Sequence, residues 1–235
     1  MADHKQMPNR HTWIIGIGHL ASMTFGNHTK RIMYMTLRRA LFVRHGETDY
    51  NAERRIQGHL NVALNETGHL QAAALAAYLA DLPLGAIYSS DLIRAYQTAE
   101  PIAEKQGLPI HTDERLREIN LGVFQGMTGD ELRRSHHHAD AYEMWRTDDS
   151  YAPNGGESYG QLGDRTLAAW EQIAEESEAE TVLIVTHGGN IKSLMMRLFP
   201  AYDRPRVLNT SVTEIVKEDK QWFLRRYAEL PHLKS

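Results

Sequence analysis

The chain has 235 residues, 42% of them apolar and 24% charged, with a formal net charge of −4. That length suits one or two globular domains, and the slight negative balance gives no general attraction to nucleic acid or to acidic membranes. There is no cysteine, which excludes disulfides, thiolate catalysis and cysteine-ligated zinc; the composition fits the cytosol, and a cytoplasmic location is the expectation.

Residues 1–39 differ in character from the rest. His4, Lys5, Arg10 and His11 precede Trp13-Ile14-Ile15-Gly16-Ile17-Gly18-His19-Leu20-Ala21. A secretory signal cleaved near Ala21 is conceivable, but the apolar stretch is short and broken by glycine and histidine. It is also far too short to span a membrane. We take residues 1–39 as a flexible extension, or an upstream start with the working protein beginning near Met33 or Met35. The folded domain is then 40–235.

From Ala40 strands and helices alternate. The apolar run Leu41-Phe42-Val43 ends at Arg44-His45-Gly46, and a loop continues through Gln57-Gly58. Asn65 or Thr67 opens an alanine-rich helix over 70–80, closed by Asp81 and Pro83. Ala86-Ile87-Tyr88-Ser89 has the make-up of a second strand. Ser90 or Asp91 caps a helix carrying Leu92, Ile93, Tyr96 and Ala99 at helical spacing, and Pro101 should kink or interrupt it. Residues 110–112 give a weak strand signal. Thr128 with Glu131 is a capping box. Pro153-Asn154-Gly155-Gly156 marks a turn, after which Ser158 starts a long helix through Leu167, Trp170 and Ile173. Residues 181–185 form a central buried strand, followed by a helix over 190–198. Residues 211–216 and 222–227 look like a closing antiparallel pair. No internal repeat or interdomain linker is visible. The expectation is an α/β three-layer sandwich: a mostly parallel central sheet with helices on both faces.

Both apolar strands end in the same way, in Arg44-His45-Gly46 and in Thr186-His187-Gly188-Gly189. Ligands of open α/β sheets sit at that C-terminal edge. A histidine beside an arginine there points to a nucleophile facing an anion. Gly46 lets backbone approach a ligand closely, and Asn51 can donate to the same anion. Arg94 lies one turn into a helix, where a guanidinium suits a phosphate contact. The first N–H groups after His187 also favour an anion. Glu118, in Leu116-Arg117-Glu118-Ile119, is a carboxylate between apolar neighbours and a candidate proton carrier. Each residue has a dull alternative: Arg94 solvated on its helix, Glu118 paired with Arg115 or Arg117, each His-Gly a plain turn. The joint pattern favours a phosphoryl-transfer site that uses positive donors and no metal. His136-His137-His138 looks like a metal tract, but adjacent helix residues point different ways, so a solvated helix face is preferred. Met195-Met196 is expected in the core.

The run 41–51 resembles the Arg-His-Gly-Glu-Thr signature of the histidine phosphatase superfamily, in the branch that includes cofactor-dependent phosphoglycerate mutases. The resemblance continues in family order through Gln57-Gly58, the segment 90–99, Leu116-Arg117-Glu118-Ile119, Gly126-Met127-Thr128, Gly156-Glu157-Ser158, Val185-Thr186-His187-Gly188 and Thr210-Ser211-Val212. It covers most of the chain from about Ala40 onward, and residues 1–39 have no counterpart in it. It implies a phosphoglycerate mutase-like fold. It implies His45 as the nucleophile that becomes a phosphohistidine. Arg44, Arg94 and His187 would clamp the phosphoryl oxygens, with Asn51 completing the pocket. Gln57, Gly58 and Gly188 fall among the implied substrate-binding positions. Glu118 would protonate the leaving alkoxide and then activate water. No cofactor or metal is implied, the partner is a small phosphorylated metabolite, and the oligomeric state is left open.

Within the family, mutases follow the acidic Glu with Arg-His-Tyr-Gly, whereas Glu118 is followed by Ile119-Asn120-Leu121-Gly122. Mutases also carry a longer insertion with a Lys and an Arg pair. Arg133-Arg134 is such a pair, but it lies too early in the chain. The pattern therefore resembles the broad-specificity phosphatases, with ribazole-phosphate phosphatases close behind and the cofactor-dependent mutase as the alternative. A non-catalytic phosphopeptide-binding module needs neither a nucleophile nor a proton carrier, so it fits less well. The region 127–151, with Tyr142, Trp145 and Tyr151, would cap the pocket and set the substrate.

Overall fold

The computed structural model describes residues 37–201 and 205–233. The expectations for residues 1–36 lie outside them. In chain order the elements are β1 (Arg39–Arg44), α1 (Asp49–Ala52), α2 (Glu66–Tyr78), β2 (Ala86–Ser89), α3 (Ile93–Gln106), β3 (Ile110–Thr112), α4 (Gly129–Arg134), α5 (Ala139–Thr147), α6 (Tyr159–Glu176), β4 (Thr181–Thr186), α7 (Gly188–Leu198), β5 (Val212–Glu218) and β6 (Gln221–Glu229). They build one six-stranded sheet in the order β3-β2-β4-β1-β5-β6. β3, β2, β4 and β1 run parallel, and β5 turns antiparallel against β1.

β1 and β4 are apolar without alternation because both sides of the sheet are covered. Successive side chains point to opposite faces. Ala40, Phe42, Val182 and Ile184 pack with Trp170 and Ile173 of α6 and Ile191 and Leu194 of α7. Phe42 meets Trp170 edge-on at 5.3 Å. Leu41, Val43, Leu183 and Val185 pack with Leu75 of α2 and Ala95, Ala99 and Ile102 of α3. The expected three-layer arrangement is therefore present. A third cluster of Ile119, Leu121, Phe124, Leu132, Tyr142 and Leu162 supports the α4–α5 region.

Several boundaries differ from expectation. The domain extends N-terminally of Ala40: Leu37 is fully buried, and Arg39 in β1 pairs at 2.8 Å with the buried Glu214, which also holds Arg226 at 2.9 Å. Asn65, not Thr67, caps α2, accepting the Gly68 N–H at 2.8 Å. Neither Ser90 nor Asp91 caps α3. The Ile93 N–H instead donates to Asn61 Oδ1, 2.8 Å away and far back in the chain. α3 also continues through Pro101 to Gln106, so the proline does not end it. α1 and α5 were not expected; both are short, and the one-turn α1 leaves no periodicity to detect. His136 and His137 lie exposed on a turn, and His138 precedes α5, so the tract is no helix face. Met195 is buried as expected, but Met196 is 41% exposed.

Candidate active site

The register of β1 on β4 sets Arg44 opposite Thr186. The next residue on each strand is a histidine, so His45 and His187 emerge side by side at the C-terminal edge, with ring centres 5.1 Å apart. The His45 N–H donates to the Thr186 carbonyl at 2.9 Å, continuing the parallel ladder. His45 is 2% exposed. Its Nδ1 lies 2.7 Å from the Gly46 carbonyl. A carbonyl only accepts, so Nδ1 carries the proton and Nε2 keeps its lone pair. The Asn209 Nδ2 donates to the carbonyls of both His45 and Gly46, at 2.9 and 3.1 Å, and so fixes the group that orients the imidazole.

His187 takes the N-cap position of α7. Its Nε2 is 2.9 Å from Ser90 Oγ, which accepts the Leu92 N–H. With the hydroxyl proton directed to Nε2, Nδ1 is the protonated nitrogen, and it is buried without a partner. Burial, reinforced by Arg94 and then Arg44, pushes His45 well below the usual imidazole range. Burial and Arg94 do the same for His187. Both rings are therefore neutral near pH 7.

The guanidiniums are held from the backbone. Arg94, the second residue of α3, is fully buried and donates to the carbonyls of Leu60 and Gly58 at 2.7 and 2.8 Å. Gly58 adopts φ +51°, and a Cβ there would lie 2.1 Å from Gln125 Oε1, so this turn requires glycine. Arg44 Nη1 donates to the Val207 carbonyl at 2.9 Å. Burial lowers Arg94 to about 10, against the raising effect of Glu118. Arg44 is lowered by burial, opposed by Glu118, with Arg206 adding a further lowering.

Glu118 is half-buried and held from both ends. Arg165 of α6 donates to the carbonyls of Arg115, Arg117 and Glu118, at 2.7, 2.6 and 2.8 Å, and pairs with Glu157. His59 Nε2 also lies 2.8 Å from the Glu118 carbonyl. The carboxylate accepts the N–H groups of Ile119 at 2.9 Å and Gly189 at 3.3 Å. A side chain at Gly189 would place its Cβ 2.2 Å from Glu118 Oε1. The competing partners are occupied: Arg115 pairs with Asp113 and Arg117 with Asp91.

Arg44, His45, Arg94, Glu118 and His187 are brought together. Asn51 sits in α1, its Oδ1 accepting from Thr48 N–H and Asn209 Nδ2, which leaves its own Nδ2 for an anion. Gln57 is buried, Gly58 turns its carbonyl to Arg94, and Gly188 opens α7 over Arg44. Among the described residues, Arg44 Nε, Arg94 Nε, Gln57 Oε1 and His187 Nδ1 are buried with no partner. Buried polar groups are normally paired, and three donors left open around one histidine make a pocket for an anion. Arg133 and Arg134 take no part: Arg133 pairs with Asp130 and lies over the Tyr142 ring. Sequence reasoning missed Asn209, Ser90 as the partner of His187, His59 and Arg165. Their contacts cross 47 to 164 positions of the chain, and no local pattern announces them.

The cap region contributes an aromatic ladder. Trp145 stacks between Tyr142 and Tyr159, with ring centres at 5.8 and 5.4 Å. Trp145 and Tyr159 line a cavity of about 550 Å³ with Arg146, Lys192, Met196 and Arg197. Tyr142 turns into the third core cluster, and Tyr151 does not line that cavity.

Two neutral imidazoles, two guanidiniums and a carboxylate on one sheet edge have the make-up of a site that handles a phosphoryl group. The family model for the histidine phosphatase superfamily, branch 1, matches residues 40–230. The chain belongs to that superfamily and is a phosphatase of the histidine phosphatase family. Phosphoglycerate mutase-like protein 4 of Arabidopsis thaliana is 41% identical over 198 residues, covering 82% of this chain and 86% of that protein. The metal-independent phosphoserine phosphatase of the same plant is 38% identical, with 83% of each chain covered. Among solved structures, Bacillus stearothermophilus YhfR superposes with a TM-score of 0.77 at 37% identity, covering 83% of this chain and 99% of that one.

Proposed function

We propose that the chain is a metal-independent phosphomonoester hydrolase acting through a phosphohistidine on small phosphorylated metabolites. The observation that carries this reading is the hydrogen bond from His45 Nδ1 to the Gly46 carbonyl, which leaves a neutral Nε2 among partnerless donors. Nε2 attacks phosphorus while the phosphoryl oxygens lie against Arg44, Arg94, Asn51, the His187 Nδ1–H and the first N–H groups of α7. The P–O bond to the substrate breaks, and the departing alkoxide takes a proton from the Glu118 carboxyl group. The same carboxylate then accepts a proton from water as water attacks phosphorus. The P–N bond breaks, and inorganic phosphate leaves with His45 neutral again. Splitting the transfer in two avoids one difficult direct displacement, and fixed positive donors stabilise the charge that develops. The cysteine-free composition supports placing this activity in the cytosol.

Hydrolysis is favoured over mutase chemistry because a mutase must keep the phosphohistidine from water in a closed, doubly clamped site. The segment after Glu118 supplies no such clamp: its arginine pair on α4 points to Asp130 and Tyr142. The relative named phosphoglycerate mutase-like keeps the isomerase as the second reading. The test assays p-nitrophenyl phosphate and 3-phosphoglycerate with a chelator present, after priming with 2,3-bisphosphoglycerate. The expected products are inorganic phosphate and the free alcohols, with 2-phosphoglycerate negligible. Loss of activity to chelator, or more isomerised than hydrolysed product, would overturn the proposal.

A further inference from the structure

Residues 207–209 form one wall of the catalytic pocket. Val207 gives its carbonyl to Arg44 at 2.9 Å, and Asn209 reaches the carbonyls of His45 and Gly46. Between Pro205, whose ring fixes its own φ, and the buried Val207 stands Arg206. It is exposed, and among the described residues no carboxylate pairs with it. The other arginines of the site each have partners of their own. Arg94 and Arg44 are held by carbonyls, Arg165 by Glu157, Arg117 by Asp91 and Arg115 by Asp113. Arg206 is close enough to Arg44 for its charge to lower the proton affinity of that buried guanidinium. Among the described residues it is therefore an unpaired cation, one residue from a direct contact of the phosphoryl-binding group.

We infer that Arg206 is a specificity-determining residue that contacts a second negative charge on the substrate, a carboxylate or a further phosphate a few atoms from the scissile phosphoryl group. The inference rests on the phosphatase reading and narrows its substrate class to phosphomonoesters of hydroxy acids and other doubly anionic monoesters. A planar guanidinium suits such a group, because it offers paired donors to a carboxylate. The competing reading is general steering, in which Arg206 only raises the local positive potential. Steering would speed the capture of every phosphomonoester alike and would fade with salt.

3-Phosphoglycerate and glycerol 3-phosphate form a matched pair that differs in a carboxylate against a hydroxymethyl group. Arg206→Gln should lower kcat/KM for 3-phosphoglycerate by about tenfold, mainly through KM, in line with the loss of one charge-assisted hydrogen bond. It should leave glycerol 3-phosphate close to wild type, and Arg206→Lys should restore part of the loss. A parallel fall for both substrates that disappears at high salt, or no change for either, would overturn the inference. Calorimetry in a His45→Ala background tests the contact without turnover. There Arg206→Gln should weaken binding of 3-phosphoglycerate by about tenfold and leave glycerol 3-phosphate unaffected. Equal affinities for 3-phosphoglycerate with and without Arg206 would sink the assignment. A wild type that hydrolyses no monoester would sink the phosphatase reading instead, with the calorimetric comparison still deciding the role of Arg206.

Discussion

An imidazole that attacks phosphorus must be neutral, and His45 is kept so by burial first and by Arg94 and Arg44 next. That has a consequence for stability. The unfolded chain takes up protons at His45 and His187 around the ordinary value of 6.5, and the native site resists them. The stability linked to these rings is present above 6.5 and is lost as pH falls below it. Each ring removes up to about 1.4 kcal/mol per pH unit. Denaturant unfolding should show a lower free energy at about pH 5.5 than at about pH 7.5, and His187→Gln should shrink the difference. An unfolding free energy that is flat or rises on acidification would contradict the account. Glu118 has a different signature, because a good leaving group needs little protonation. Glu118→Gln should slow phosphorylation of His45 by alkyl phosphates far more than by aryl phosphates in single-turnover kinetics. Equal losses would remove Glu118 from the acid role. Arg44, His45, Arg94 and His187 were legible because each sits beside a strong local marker, a strand end or a helix start, and Glu118 because it is a carboxylate set among apolar neighbours. Asn209 and Arg165 were not, because an amide and a guanidinium that hold distant carbonyls look like any surface residue in one dimension.

At the level of elements, α3 shows where local reading fails. Ser90 and Asp91 are both good capping residues, yet Ser90 holds His187 and Asp91 holds Arg117. The cap comes from Asn61, in the loop that also supplies the Gly58 and Leu60 carbonyls to Arg94. One loop therefore both starts the helix and seats the guanidinium. Asn61→Ala should cost about 0.5–2 kcal/mol in unfolding free energy and also lower kcat/KM, since Arg94 follows the released N–H by one residue. A loss of stability with unchanged kcat/KM would separate the two roles and contradict this reading. β1 and β4 were readable for the opposite reason. Two-sided burial turns a central parallel strand into an unbroken apolar run, and their common His-Gly ending placed both histidines on one edge before any pairing was known.

For the whole molecule, parallel strands set every β1 and β4 C-terminus on one edge, and the antiparallel β5 brings the loop with Val207 and Asn209 back to close it. The layer order was legible in the alternation of apolar runs and helical periodicity, but strand neighbours depend on long-range register that periodicity does not encode. The domain's start also needs the fold. A chain beginning at Met35 keeps the buried Leu37 and the Arg39–Glu214 pair and should match the full chain in melting temperature and turnover. One beginning at Leu41 lacks both and should melt lower. A large loss on removing only residues 1–34 would overturn the reading of that segment as an extension. The account as a whole stands on covalent chemistry at one atom, His45 Nε2. The most direct measurement is rapid quench of the enzyme during hydrolysis of a ³²P-labelled monoester in the presence of chelator. The account predicts a labelled protein whose bond is stable to alkali and labile to acid, located on the peptide that contains His45 and absent from His45→Ala. Turnover at the normal rate by His45→Ala, or label on another residue, would contradict it.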